Sequence, residues 1–330
     1  MSQQDPYDPG YFGPAIQEQA PSQRLLYSRA ARRPGFDAGS ILWPLIFLLV
    51  HLFTSLVVQL VFVFRRVLVD PFLFEQMLEG NMTNYTNNVT ELIYKDFAPA
   101  AIIYSLVQVL IYGLFLRSRQ KRERFYVLTR PGRAVDWLSS LFMILGALGL
   151  AVGWMFLLDY LAKNFTFWSD QIDVYGQLTS AFRADNIWLL TLGIAVMVPI
   201  AEELLFRGIL LAELRRIVPT WLAIVFNALF FALFHANLVQ GVYVFAAGLI
   251  LASAYVWTES IWIPIFMHMV YNFMGSVVPS LLSGSEELSM LVSYVEMGLL
   301  AVGIIFTVIL YKKRRQPSRK PIPVEAPFPY

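Results

Sequence analysis

Long apolar runs, separated by short polar stretches, dominate the chain between residues 41 and 311. A helix of about 20 apolar residues spans the hydrocarbon core of a bilayer. The runs are Ile41–Phe64, Phe97–Leu116, Leu138–Leu161, Ile187–Leu214, Trp221–Phe234, Leu238–Trp257, Ile261–Leu282 and Leu291–Tyr311. The pattern predicts an all-α, polytopic membrane protein with about eight transmembrane helices. The fifth and sixth runs are short enough to be re-entrant or tilted.

Composition agrees with this prediction and excludes several function classes. Hydrophobic residues make up 57% of the chain and charged residues only 15%, which favours the lipid bilayer as its surroundings. The formal net charge of +2 is too small to indicate nucleic-acid binding. The chain has no cysteine, so disulfides, thiolate nucleophiles and cysteine metal sites are excluded.

Basic residues predict the orientation of the chain in the membrane. They cluster in the N-terminal tail, in the loop after the second run, at Arg215 and Arg216, and at residues 312–315. Cytoplasmic loops carry an excess of lysine and arginine. We therefore expect a multi-pass protein of the cell membrane with both termini in the cytoplasm.

A few ionisable residues lie within or at the ends of the apolar runs. They are His51, Glu202, Glu203, Arg207, His235, His268 and Glu296. Such residues normally face the interior of a helix bundle or a water-filled cavity, and they often mark function. His51 has no polar partner at helical spacing, so we expect it to serve packing. Glu296 lies near the start of the last run, and we expect it to reach the membrane interface.

Two adjacent acids, Glu202 and Glu203, end an uncharged stretch of the fourth run. Glu203 precedes Arg207 by four residues, the favourable orientation for an ion pair within one helix. Glu202 is rotated by about 100° from Glu203 on a helix of 3.6 residues per turn. It therefore needs another partner or a proton, which makes it the better candidate for a general base that activates water.

His235 is predicted to lie at the same depth as Glu202. If the chain reverses at Pro219, Glu202 lies 17 positions before the turn and His235 lies 16 positions after it. Asn227, Phe231 and His235 are spaced by four residues and share one helix face. A histidine that only caps or packs its helix is the alternative interpretation.

His268 and Asn272 are also four residues apart and point to one side of the seventh run. Alone, such a pair also suits an interhelical hydrogen bond. Counting from Glu259 places His268 about 12 Å into the bundle, whereas His235 would lie near the opposite face. The two meet only if the fifth or sixth run is broken, and we expect the break at Asn237 and Gly241.

One carboxylate, two imidazoles and an amide in a membrane cavity could activate water for attack on an amide bond. Two forms of this chemistry are open. In one, Glu202, His235 and His268 hold a divalent metal such as Zn²⁺, which polarises the water. In the other, the histidines and Asn272 stabilise the oxyanion directly. A proton-coupled transporter is a rival use of buried acids and histidines.

Three motifs together resemble those of a known family. Glu202-Glu203-x-x-x-Arg207, Phe231-x-x-x-His235 and His268-x-x-x-Asn272 are similar, in this order, to the motifs of the CAAX prenyl protease type II (CPBP or Abi) family of intramembrane proteases. The resemblance covers about residues 187–280. It implies a membrane-embedded endopeptidase with a catalytic cavity inside the bundle, acting on a peptide or protein that is membrane-tethered or prenylated.

The resemblance also implies roles for the site residues. Glu202 would activate the water and His235 would assist it or bind metal. His268 and Asn272 would stabilise the oxyanion or complete a metal site. Glu203 and Arg207 would hold the local geometry. A non-catalytic scaffold or bacteriocin-immunity protein of the same fold is the other alternative.

These patterns divide the chain into five segments. A disordered tail (1–40) precedes N-terminal transmembrane helices (41–186). A CAAX-protease-like catalytic core (187–282) is followed by the last transmembrane helix (283–311) and a basic, proline-rich cytoplasmic tail (312–330).

Overall fold

Helices form almost all of the chain that the computed structural model describes, namely residues 38–69, 75, 78, 93, 95–122, 126–180 and 186–315. They are α1 (Gly39–Val69), α2 (Phe97–Arg122), α3 (Ala134–Asn164), α4 (Thr166–Ser180), α5 (Ile187–Ile217), α6 (Thr220–Phe234), α7 (Leu238–Thr258), α8 (262–281) and α9 (Glu286–Lys313). Each of the eight apolar runs forms a helix. The prediction of an all-α, multi-pass membrane protein is confirmed. The predicted tails lie mostly outside the described residues.

Six of the described helices are long and apolar enough to cross a membrane by length and composition: α1, α2, α3, α5, α7 and α9. Helix α6 has 15 residues, which gives it a length of about 22 Å, less than the hydrocarbon thickness. Helix α8 is interrupted by a π-helical stretch, Phe273–Val277. The helices of the fifth and seventh runs are not among these six.

Helix α4 was not predicted, because its sequence is too polar to form an apolar run. It follows α3 after a break at Phe165 and packs against α3 and α7. The Trp168 ring meets the Trp154 ring edge to face, with 5.7 Å between centroids. Helix α4 thus covers the bundle on the side where the main cavity lies.

Helix α5 carries the two acids between two π-helical stretches, Thr191–Met197 and Leu204–Leu210. Only Val198–Glu203 between them is α-helical. π-Helical turns occur often at functional sites, since they shift the side chains that follow them around the helix axis. Side chains on opposite sides of each π-helical stretch are therefore rotated away from the positions that a regular α-helix would give them.

The connection between α6 and α7 holds the expected break. Ala236 adopts a left-handed conformation with φ of 50°, and Asn237 caps α7 by accepting a hydrogen bond from the Gln240 amide. Gly241 lies inside α7, so the prediction that the break extends to it was wrong. Asparagine is a preferred N-cap residue, and α7 begins directly after Asn237.

Glycines bring α3 and α9 into close contact. A Cβ atom added to Gly146 would lie 2.8 Å from the Gly303 Cα atom, and one added to Gly149 would overlap the Glu296 carbonyl oxygen. Small residues allow the backbones of membrane helices to approach in this way. The crossing fixes the position of Glu296 along α3.

A buried polar cluster holds the C-terminal end of α5. The fully buried Glu213 carboxylate accepts hydrogen bonds from Arg119 (2.7 Å) and from the Tyr126 hydroxyl (3.0 Å). Burial, reinforced by the neighbouring Glu213 charge, raises the pKa of Tyr126 above its usual range. These contacts connect α5 to α2 and to the segment before α3.

Candidate active site

The His268 imidazole lies between the two acids of α5. Its Nδ1 atom donates to Glu203 Oε1 over 2.8 Å, and its Nε2 atom lies 3.6 Å from Glu202 Oε2. The depth difference inferred by counting residues along straight helices was therefore wrong. π-Helical stretches interrupt α5 on both sides of the acids, so α5 is not the regular helix that the counting assumed.

The predicted ion pair between Glu203 and Arg207 is present. Arg207 Nη1 donates to Glu203 Oε1 over 2.8 Å, and neither side chain is exposed. Arg207 Nη2 also donates to the Gly248 carbonyl oxygen over 3.3 Å. Glu203 Oε1 thus accepts from both Arg207 and His268, so the support of the helix and the orientation of the imidazole depend on one carboxylate oxygen.

Phe231, which belongs to the same motif as His235, lies at the centre of the site. The Arg207 guanidinium lies over the Phe231 ring, 4.7 Å from its centroid. His235 and His268 both meet the same ring edge to face, at centroid distances of 5.0 and 5.6 Å. The ring fills the space between the two imidazoles and fixes their separation.

His235 both caps α6 and lines the cavity. Its Nδ1 atom donates to the Phe231 carbonyl oxygen over 2.8 Å, and this carbonyl belongs to the last turn of α6, where main-chain acceptors lack helical partners. The half-buried imidazole also borders the cavity that contains Glu202. His235 can cap α6 and also take part in chemistry, because the cap uses Nδ1 and leaves Nε2 available to the cavity.

Asn272 connects α8 to α5 through a carbonyl that the local sequence leaves free. Val198 donates its amide to Gly193, five residues back. In the same register the Ile194 carbonyl would pair with residue 199, which is a proline and has no N–H. Asn272 Nδ2 donates to this carbonyl over 2.9 Å instead. Asn272 therefore makes an interhelical hydrogen bond, which was one of the two interpretations of this residue. Its second amide hydrogen is left for the cavity.

A single cavity of about 1520 Å³ brings the candidate residues together. Its lining includes Glu202, His235, His268 and Asn272, together with apolar side chains such as Phe231. Glu203 and Arg207 are fully buried behind this wall. The predicted site thus divides into four residues that border the cavity and two that hold them in place.

The structure agrees with the expectation for His51 but not with the expectation for Glu296. His51 is buried against the Phe234 and Tyr112 rings, as expected for a packing residue, although it also lies within electrostatic range of Glu202 and His235. The prediction that Glu296 reaches the membrane interface was wrong. It is only 8% exposed and lines the cavity, because α9 begins at Glu286, about 15 Å further back along the helix.

The arrangement does not fit a three-ligand metal site. Within the described ranges, no group of three or more histidine, aspartate or glutamate side chains could hold a metal ion. His268 Nε2 and Glu202 Oε2 approach each other directly, at 3.6 Å, with His235 outside that pair.

The fold and the site define a class: a multi-pass membrane protein with a buried carboxylate–histidine site in a cavity of its helix bundle. Residues 184–274, which include all the predicted site residues, match the Rce1-like family, described as type II CAAX prenyl endopeptidase Rce1-like. The resemblance inferred from the motifs is confirmed over this stretch of the chain, which is similar to that family.

A curated relative agrees with this assignment. The chain is 35% identical over 101 residues to the membrane-embedded CAAX protease MroQ of Staphylococcus aureus (strain USA300). The match covers 29% of this chain and 40% of that protein, so the chain spans less than half the length of this relative. No solved structure matches the chain significantly.

Proposed function

We propose that the protein is a membrane-embedded endopeptidase in which Glu202 activates the attacking water. The observation that carries the proposal is the position of Glu202. Its carboxylate borders a large cavity and lies 3.6 Å from the same imidazole that Glu203 holds from the other side. The family match of residues 184–274 supports peptide-bond hydrolysis as the reaction.

Charge balance supports an ionised Glu202 in this arrangement. Glu202, Glu203, Arg207 and His268 are all buried, and contacts connect Arg207 to Glu203, Glu203 to His268 and His268 to Glu202. Two carboxylates and one guanidinium leave a net charge of −1, which is costly away from water. One further proton neutralises the cluster. We place it on His268, because both ring nitrogens face carboxylate oxygens, and Glu202 then stays free to accept a proton.

The reaction follows from these positions. Glu202 takes a proton from water as the oxygen attacks the carbonyl carbon of the scissile bond. As Glu202 becomes protonated, its attraction for the His268 Nε2–H weakens, and this N–H together with an Asn272 N–H stabilises the oxyanion, while His235 Nε2 orients the water. Glu202 then returns its proton to the leaving nitrogen as the C–N bond breaks. Atoms balance with one water consumed for each bond cleaved.

The cavity supports a peptide substrate that is tethered to the membrane or prenylated. Its volume of about 1520 Å³ exceeds the range of about 300–1,000 Å³ that is usual for small-molecule sites. It therefore has room for an extended peptide segment together with an apolar group. Its wall combines the polar site residues with apolar side chains of several helices.

One reconstitution experiment tests the proposal. The purified protein in lipid nanodiscs is incubated with a panel of membrane-tethered, prenylated and free peptides, beside the Glu202→Gln variant. We expect cleavage by the natural protein and a loss of about 10²- to 10⁴-fold in the variant. Cleavage that survives Glu202→Gln overturns the proposed base. Loss with a chelator that zinc reverses overturns the metal-free form, and proton flux without cleavage overturns the peptidase.

We also propose that both termini are cytoplasmic. Because the chain has no cysteine, Ser2→Cys and Ser318→Cys each introduce a unique label. In right-side-out vesicles, neither should react with a membrane-impermeant maleimide until the membrane is opened. Reaction in sealed vesicles contradicts the orientation.

A further inference from the structure

Glu296 is a buried acid that the proposed reaction does not use. It borders the same cavity as Glu202 and His268. Its exposure is only 8%, and its carboxylate makes no hydrogen bond or ion pair with any residue that the structure describes. A carboxylate held out of bulk water without a partner is costly, which in membrane proteins commonly indicates a functional site.

Three tyrosines line the cavity together with this acid. Tyr271 of α8 lies within electrostatic range of Glu296, and its buried hydroxyl has no hydrogen-bond partner in the described part of the chain. The hydroxyls of Tyr175 and Tyr243 lie 3.1 Å apart and within electrostatic range of Tyr271. Burial raises the pKa of Tyr175, so its phenol stays neutral. All three tyrosines line the cavity.

The helix crossing explains why Glu296 cannot withdraw to the surface. The Glu296 carbonyl oxygen packs directly onto Gly149, where any side chain on α3 would overlap it. The backbone at this position is therefore fixed against α3, ten residues into α9. Helix α4 contributes Tyr175 to the same cluster, which gives this otherwise unexplained polar helix a place in the cavity wall.

The chemistry of the cluster is complementary to a cation. A carboxylate gives an ammonium or guanidinium a charge-assisted hydrogen bond, and aromatic rings beside it add cation–π attraction. The free Tyr271 hydroxyl can accept a further hydrogen bond. We propose that Glu296, with Tyr271, Tyr243 and Tyr175, forms a subsite that binds a lysine or arginine side chain of the peptide substrate. The substrate role rests on the proposed peptidase function.

The subsite lies close to the proposed reaction centre. Tyr271 follows His268 by three residues on an α-helical stretch of α8, which separates their Cβ atoms by about 5–6 Å. An extended peptide advances about 3.3–3.6 Å per residue. Allowing for the tyrosine side chain, the basic residue should lie within about four residues of the scissile bond.

Binding without cleavage tests the subsite directly. The Glu202→Gln protein in nanodiscs is titrated with fluorescent decapeptides in which one lysine, or norleucine as its uncharged analogue, is moved along the sequence. At one or two positions, we expect lysine to bind about 10- to 100-fold more tightly than norleucine. Adding Glu296→Gln should remove the preference for lysine but leave norleucine binding unchanged. Adding Tyr271→Phe instead should reduce the preference for lysine.

The control is Glu287→Gln, which removes an exposed acid from the same helix outside the cavity and should leave the preference intact. No lysine preference at any position overturns the subsite, as does a preference that survives Glu296→Gln. If the natural protein binds lysine peptides through Glu296 but cleaves none of them, the peptidase proposal fails and the subsite stands. If the natural protein cleaves these peptides without a Glu296-dependent preference, the subsite proposal fails and the peptidase proposal stands.

Discussion

Glu203 Oε1 accepts a hydrogen bond from His268 Nδ1 at 2.8 Å while it is also paired with Arg207 at the same distance. One fully buried oxygen therefore determines both the orientation of an imidazole and the neutralisation of a guanidinium. Glu202, its neighbour in the sequence, faces the other nitrogen of that imidazole from the cavity wall. The two adjacent acids thus differ in their surroundings, because Glu203 is fully enclosed whereas Glu202 borders the cavity.

This difference predicts opposite effects of two conservative substitutions. Glu203→Gln leaves Arg207 buried without its counter-charge, and we expect a loss of about 3–5 kcal/mol in stability. Glu202→Gln removes a charge at the cavity wall and should cost much less stability but most of the activity. Thermal unfolding in detergent, followed by tryptophan fluorescence, measures both variants.

A double variant provides the control for the Glu203 prediction. Adding Arg207→Met to Glu203→Gln removes the uncompensated charge and should recover part of the lost stability. Equal losses of stability in Glu202→Gln and Glu203→Gln would contradict the assignment of the two acids.

Two substitutions at His235 separate helix capping from chemistry. Asparagine places an amide nitrogen near the position of Nδ1 and can still donate to the Phe231 carbonyl oxygen. Glutamine places its amide near Nε2 and loses that cap. We expect His235→Asn to keep the melting temperature and lose activity, and His235→Gln to lower the melting temperature. Full activity in a stable His235→Asn protein would show that His235 only caps α6.

Asn272 and Pro199 form a testable pair. Asn272→Ala leaves the Ile194 carbonyl without a donor, which should cost about 1–3 kcal/mol. Pro199→Ala supplies an amide at the position that the π-helical register would use, so Pro199→Ala with Asn272→Ala should recover much of this stability. If Asn272 also stabilises the oxyanion, kcat of the stable double variant stays low. Restored kcat would indicate that Asn272 acts only through the helix contact.

Gly248 is required by the approach of α6 to α7. A Cβ atom at this position would lie 3.1 Å from the Ala228 Cα atom and 3.2 Å from the Phe231 ring. We expect Gly248→Ala to displace Phe231, the ring between the two imidazoles, and to lower stability by about 1–3 kcal/mol. The matched control is Gly153→Ala, since a Cβ atom there meets nothing within 4 Å and should be tolerated.

The sequence by itself determined the class of fold and indicated the candidate residues of the site. Apolar runs identify helices in a membrane because the main-chain polar groups must be satisfied within each segment. Charges inside such runs are rare enough to be weighed one by one. The spacing of Glu203 and Arg207 correctly predicted their contact, because an ion pair one turn apart is a local property of the helix.

Tertiary structure alone decided the features that depend on distant parts of the chain. His268 reaches both acids although straight-helix counting placed it at another depth, since π-helical stretches in α5 change where its side chains meet those of α8. Glu296 enters the cavity because glycines let α9 approach α3, and the polar α4 completes the wall. The local sequence pattern determines where a helix forms, but the packing of one helix against another determines which of its residues share a site.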